Sequence, residues 1–328
     1  MNTVFITGAN GLLGSNTVLV FLEQGYQVVA QVRSVSSFVL GKHERLKLIE
    51  VDILNNKEIK KAMEGCEVVV HVASLIDPKI KKYQSYYKVN VIGTKNIVES
   101  AIANRVKKII YVGTANVYGY GTLGSLGCEL HSIKDPFSKS PYSRSKKVAQ
   151  EYVLSKKDDI EVVVVNPTFM LGAYDTKPSS GKLVLYGLNK SVVFYPPGGK
   201  SFVCVQDVSR GIVKAVEKGK NGESYILSNE NLSYKAFFKL LKKVQKSHQI
   251  LVRVPKICFY FLGFVGDLLR KLMIKTPLSS NNLKVLCINS YYSNKKAREQ
   301  LGVVFSPIEK GIAEAAEWFN SQKYVCKS

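Results

Sequence analysis

The chain has 328 residues, 46% of them hydrophobic and 22% charged, with a formal net charge of +22. This is an ordinary composition for a globular protein, and the length is enough to bury one large α/β core with a smaller appended domain. The six cysteines (Cys66, Cys128, Cys204, Cys258, Cys287, Cys326) include no C-x-x-C pair and exclude a disulfide framework, and the four histidines (His43, His71, His131, His248) have no metal-ligand spacing.

The charge admits three readings: an anionic ligand such as a phosphorylated cofactor or an acyl carrier, an anionic membrane surface, or a general lysine bias. Lysines recur along the whole chain (Lys60-Lys61, Lys81-Lys82, Lys146-Lys147, Lys242-Lys243), which favours the last. Nucleic acid is set aside, because no aromatic-and-basic motif is present. No basic region followed by a long apolar run and a cleavage site opens the chain, so the expected location is the cytoplasm.

In chain order, strand patterns fall at 4–7, 28–32, 46–51, 68–72, 108–112 and 161–165, alternating with helical patterns at 13–24, 57–63, 91–104 and 143–156. Short continuous apolar strands alternating with helices predict a doubly wound parallel sheet, buried on both faces. After Pro167 the alternation breaks, with turn signals at Pro178-Ser179-Ser180-Gly181 and Pro196-Pro197-Gly198-Gly199. A helix is expected at 183–189, a strand at 202–205, a helix at 208–217 and a strand at 224–227. The remainder reads as mostly helical, with segments at 234–244, 297–301 and 312–319. The domain division follows: 1–166 plus about 202–228 for the sheet domain, about 167–201 plus 229–328 for a substrate domain.

Thr7-Gly8-Ala9-Asn10-Gly11-Leu12-Leu13-Gly14 joins the first strand to the first helix. Glycines let the backbone approach a pyrophosphate closely, and the helix N-terminus offers free N–H groups. The bland alternative is a β-to-α turn with surplus glycines. The T-G-x-x-G-x-x-G spacing resembles that of the extended short-chain dehydrogenase/reductase family. The likeness continues downstream over nearly the whole chain, and it implies a Rossmann-type dinucleotide domain with Gly8, Asn10, Gly11, Leu12, Leu13 and Gly14 against the cofactor.

The second strand ends Val28-Val29-Ala30-Gln31-Val32-Arg33, with no acid to accept the ribose hydroxyls of NAD. Arg33 can pair with a 2′-phosphate, so NADP(H) is preferred and NAD(H) is the alternative; a surface arginine is the plainer reading. The resemblance further implies that Asp52 and Ile53 line the adenine, and that Val72 and Ala73 of His71-Val72-Ala73 line the ribose and pyrophosphate. It also implies that the backbone of Asn166-Pro167-Thr168 meets the nicotinamide carboxamide and that Asn90 braces the site. His71 itself reads as a structural hydrogen-bonding residue, and Asp207 as the cap of a helix starting at Val208.

Tyr142 and Lys146 stand four apart at a helix start, which puts both on one face. A free phenol has a pKa of about 10, and a neighbouring ammonium lowers it. Such a tyrosine can give a proton to a carbonyl oxygen, or take one back. The spacing alone is common in a chain with 18 tyrosines. Its position between the fifth and sixth strands, and the segment Tyr111-Val112-Gly113-Thr114-Ala115-Asn116-Val117-Tyr118-Gly119, resemble the family pattern. The resemblance implies that Thr114 is the catalytic hydroxyl and that Lys146 bonds the nicotinamide ribose; Gly113 replaces the usual first serine. A strand-end hydroxyl capping a turn is the alternative for Thr114.

The expected activity is NADP(H)-dependent carbonyl–alcohol interconversion on a small molecule. The nearest branch is the dihydroflavonol reductase-like and 3β-hydroxysteroid dehydrogenase-like one. A nucleotide-sugar epimerase or dehydratase with tightly bound NAD(P), and a non-catalytic cofactor sensor, are the alternatives. A homodimer is expected from the resemblance. Gly119–Gly127 reads as a mobile lid. The uncharged run 257–266, flanked by Lys256, Arg270, Lys271 and Lys275, reads as a pocket lid or buried helix, with a basic interfacial helix on a membrane surface as the alternative.

Overall fold

Valine-rich runs form the centre of the molecule. The computed structural model describes residues 2–80, 82–274, 276 and 278–322; Lys81, Lys275 and Cys326, singled out above, lie outside the described residues. The strands β1 (Thr3–Thr7), β2 (Gln27–Val32), β3 (Leu46–Glu50), β4 (Val68–His71), β5 (Lys108–Val112) and β6 (Glu161–Pro167) join Glu223–Leu227 in a seven-stranded sheet. Its order is Glu223–Leu227, β6, β5, β4, β1, β2, β3, and every pairing is parallel. Successive side chains of a strand point to opposite faces. Accordingly Val4, Ile6, Val163 and Val165 enter one hydrophobic core, while Phe5, Val162 and Val164 enter the other.

The helix α1 (Leu12–Glu23) and the helix Val205–Lys218 share the first core; α2 (Asn56–Ala62), α4 (Gly93–Ala103) and α5 (Pro141–Leu154) contribute to the second. Between α3 (Tyr83–Tyr86) and α4 lies a π-helical turn, Tyr87–Ile92, which carries Asn90. The strand order reverses between β1 and β4, and ligands of open parallel sheets bind in the crevice at the carboxyl ends beside such a switch.

The smaller region holds more strand than expected. Phe169–Leu171, Gly199–Cys204, Glu230–Ser233 and Asn289–Ser290 form one sheet, and Val192–Tyr195 pairs with Ile250–Arg253 in another. The expected boundary at residue 202 thus falls inside a strand of the smaller sheet, and the chain returns to the large sheet with the helix Val205–Lys218. Local apolar runs of this length do not distinguish a strand from a helix.

Three local expectations are corrected. Asp207 does not cap a helix at Val208, because that helix starts at Val205; Asp207 lies in its first turn, pairs with Arg210, and accepts from the Ser306 backbone N–H at 2.7 Å. The Gly119–Gly127 segment is not a loose lid. The Gly121 and Gly127 N–H groups both donate to the Tyr291 carbonyl, at 2.9 and 3.0 Å, and a Cβ at Gly121 would sit 1.9 Å from the Ser125 carbonyl oxygen. Its glycines serve close backbone packing. The helix Lys256–Lys271 is not buried: only Gly263 and Gly266 are, against Ser280 and Leu278, while Ile257, Phe261 and Phe264 are about two-thirds exposed (70%, 66% and 67%).

Candidate active site

The glycine loop lies at the carboxyl end of β1, and each glycine has its own reason. Gly8 has φ +67°, and a Cβ there would meet Ala73 Cα at 2.8 Å; one at Gly14 would meet the Gly8 carbonyl oxygen at 2.0 Å. Gly11 is open, with only the Gly8 carbonyl oxygen at 3.5 Å. The first turn of α1 has no side-chain cap and no acid, and its bonding begins with Ser15 N–H to the Gly11 carbonyl. The leading N–H groups and the positive end of the helix dipole are therefore available to an anion. Leu12 and Leu13 are buried, so only their backbone can serve a cofactor. Asn10 donates to the Ser37 hydroxyl at 2.6 Å and ties the loop to the segment after β2. A tight loop, an uncapped helix and one open glycine fit a dinucleotide pyrophosphate.

Beside the ends of β2 and β3 is a cleft of about 440 Å3 lined by Arg33, Glu50, Val51, Asp52 and Glu58. Arg33 is exposed and belongs to none of the ion pairs among the described residues. The register sets Glu50 opposite Val32, and its carboxylate accepts from the Val35 N–H at 2.8 Å. The acid absent from the end of β2 thus arrives from β3, which the sequence alone did not reveal. Asp52 is on the cleft wall and accepts from the Leu54 N–H at 2.9 Å. Ile53 is buried against Gly93 and serves the core.

Thr7 joins the loop to β4. Its hydroxyl accepts from the Val72 and Ala73 N–H groups, both at 3.0 Å, and so gives its own proton to His71 Nδ1 at 2.8 Å. Thr94 gives its proton to the Asn90 carbonyl at 2.6 Å, so His71 Nε2 carries the ring proton and donates to Thr94 at 2.9 Å. Burial, and after it the Lys146 charge, push the His71 pKa down to about 3. His71 is a neutral structural link, as its sequence context predicts. Asn90 braces the site from the π turn: it accepts from the Leu75 N–H at 2.7 Å and donates to the Ser145 hydroxyl at 2.9 Å.

Thr114 follows β5, and Tyr142 and Lys146 lie on α5, whose first turn is fixed by Pro141 and by the Ser140 hydroxyl accepting from the Ser143 N–H. The Thr114 hydroxyl accepts from the Asn116 N–H at 3.3 Å, which caps the turn after β5, and it lies near enough to the Tyr142 phenol to lower its pKa. Lys146, 2% exposed, donates to the Val112 carbonyl at 2.7 Å, and its ammonium lies 4.3 Å from the centre of the Tyr111 ring. The expected acidification of the phenol is overturned for the protein by itself. Burial dominates and pushes the Tyr142 pKa up to about 12, opposed by the nearby Thr114 hydroxyl. Burial also pushes the Lys146 pKa down to about 7.

The Asn166 side chain is a buried brace. It is fully enclosed, and it donates to the Thr114 carbonyl at 3.2 Å and to Gln150 Oε1 at 2.8 Å. Gln150 in turn donates to the Tyr118 hydroxyl at 2.8 Å. This brace accounts for Gly113, since a Cβ there would lie 2.3 Å from Asn166 Nδ2. Pro167 and Thr168 do reach the cavity beside Thr114, but the Thr168 N–H is already given to the Leu227 carbonyl at 3.1 Å. That cavity, of about 70 Å3, is completed by Asn116, Phe169, Lys200, Ser201, Ser290 and Tyr292. Sequence reasoning missed Thr7, Glu50, Gln150 and Lys200; the fixed distance of Gln150 from Lys146 on one helix was the one local signal available.

A nucleotide loop at the switch point, with a threonine, a tyrosine and a lysine gathered at the end of β5, defines a dinucleotide-dependent enzyme of the short-chain type. Residues 4–228 match the model of the NAD dependent epimerase/dehydratase family, and the chain belongs to that family. It is an NAD(P)-dependent oxidoreductase of the extended type. A putative dihydroflavonol 4-reductase of Synechocystis sp. is 29% identical, covering 98% of this chain and 95% of that protein. Sterol demethylase protein B of Methylococcus capsulatus is 24% identical, covering 98% and 100%. The crystal structure of gox2253 superimposes with a TM-score of 0.83 at 25% identity, covering 98% and 99%. A UDP-glucose 4-epimerase of Thermotoga maritima shares the fold, with a TM-score of 0.75 at 20% identity over 98% and 99%.

Proposed function

We propose that the protein interconverts a carbonyl compound and an alcohol with NADP(H), and that Tyr142 is its acid–base residue. The observation that carries this reading is Thr114 on the cavity wall at the end of β5, near enough to Tyr142 to act on its phenol, with Lys146 one helical turn further along α5. The dinucleotide, when bound, supplies or takes up the hydride. Thr114 donates to the carbonyl oxygen and turns it toward the phenol. Tyr142, which holds its proton up to a pKa of about 12, gives it to that oxygen as negative charge develops there. Lys146 fixes the geometry from beneath through the Val112 carbonyl, and Asn166 with Gln150 hold the Thr114 backbone.

Arg33, exposed and outside every described ion pair, supports NADP(H). Glu50, held beside it by the Val35 N–H, is the feature that favours NAD(H). The test measures NADPH and NADH oxidation against a panel of aldehydes and ketones. Tyr142→Phe should lower turnover by about 10²–10⁴-fold with cofactor affinity unchanged, and Arg33→Ala should weaken NADPH alone. Undiminished turnover in Tyr142→Phe removes the phenol from the chemistry.

A further inference from the structure

The cavity beside Thr114 contains a cation that the chemistry above does not use. Lys200 stands in the strand Gly199–Cys204, with its ammonium 5.4 Å from the centre of the Phe169 ring. Among the described residues no hydrogen bond or ion pair holds it. Tyr292, another residue of the same wall, is 2% exposed and keeps a buried hydroxyl with no hydrogen-bond partner among the described residues. Lys200 is half-buried, and burial pushes its pKa down to about 8, so the ammonium persists at neutral pH. A half-buried charge without a protein partner gains little from its surroundings, and a methionine would fill the same space without the charge. Such groups gather where a ligand supplies the missing partner.

We propose that Lys200 anchors a carboxylate of the substrate, so that the protein acts on an oxo acid, or the matching hydroxy acid, whose reacting carbon lies at Thr114. This rests on the carbonyl-reducing reading and adds the substrate class. One ammonium matches one carboxylate. A phosphoryl dianion calls for a second positive charge, and the cavity lining contains no other cationic residue. The carboxylate also gives direction: pinned at Lys200, the carbonyl reaches the Thr114 and Tyr142 hydroxyls in one orientation.

The experiment is calorimetric binding to the protein loaded with NADP+, where an oxo acid binds without being reduced. The probes are aliphatic and aryl oxo acids from 4-oxopentanoate upward, each beside its methyl ester, with dihydroxyacetone phosphate as the phosphoryl probe. At least one oxo acid should bind about 10- to 100-fold more tightly than its ester, the range for a hydrogen bond to a charged group. Lys200→Met should erase that preference and leave ester affinity unchanged, and Lys200→Arg should retain most of it. Lys200→Gln serves in place of the methionine variant should the latter fail to fold. The proposal is overturned by a panel with no preference for the acids, by a preference that survives in Lys200→Met, or by tighter binding of the phosphorylated ketone. Tyr142→Phe should keep the preference for the oxo acid over its ester, so failure of the redox reading appears in turnover and failure of the anchor appears in this preference.

Discussion

Replacing Lys146 by methionine should stabilise the protein while removing its activity. Burial takes this ammonium from 10.5 down to about 7. The unfolded chain carries the full charge at pH 7, so confining it costs about 4 kcal/mol there. The hydrogen bond to the Val112 carbonyl and the Tyr111 ring offset about 1–2 kcal/mol of that. The net gain for Lys146→Met is then about 2–3 kcal/mol at pH 7, a rise in Tm of roughly 4–10 °C. Between pH 7 and 10.5 the unfolded wild type holds a proton that the folded one has released, so its stability rises with pH by about 1.4 kcal/mol per pH unit. The variant has no such slope at this position. Its advantage should be greatest at and below pH 7 and nearly gone two pH units higher. Denaturant unfolding at pH 6.5 and pH 9 reads both effects. A variant less stable than wild type at pH 6.5, or a gap equal at the two pH values, would refute the burial reasoning.

The glycine loop separates fold from binding. Gly14→Ala, with its Cβ forced to 2.0 Å from a carbonyl oxygen, should cost about 1–3 kcal/mol or more in chemical denaturation. Gly11→Ala should unfold like wild type yet bind the dinucleotide at least about tenfold more weakly in fluorescence titration. Thr114→Val should reduce kcat by about 10²–10³-fold, and Thr114→Ser should restore most of it, in steady-state assays. The exposed stripe Ile257, Phe261 and Phe264, with Lys256, Arg270 and Lys271 at the helix ends, should carry the protein onto anionic vesicles. No described helix is long and apolar enough to cross a membrane. Sedimentation with phosphatidylserine liposomes, lost in a Phe261→Glu, Phe264→Glu variant and at high salt, checks this; protein left in solution at low salt refutes it.

The parts of the site that were legible in the sequence are those fixed by local geometry. The loop Gly8–Gly14 needs glycine because its own turn crowds the backbone, and Tyr142 and Lys146 share a helix face because four residues make about one turn. His71 was readable as structural because its neighbours mark a strand end. The misread positions depend on groups far away in the chain. The Asn166 side chain turns inward to Thr114 and Gln150, which its place in the sequence does not show; the Tyr142 pKa was expected to follow the ammonium, yet burial moves it upward.

By itself the sequence determined the alternation of strands and helices, the glycine loop between β1 and α1 and the shared helix face of Tyr142 and Lys146, because each depends on contacts within a few residues. The tertiary structure decided the direction in which burial moves the Tyr142 and Lys146 pKa values, the arrival of Glu50 beside Arg33, and the meeting of Lys200 with Thr114 across 86 positions of chain. Desolvation and charge act through space, and only the packed fold sets which groups are near and how much water lies between them.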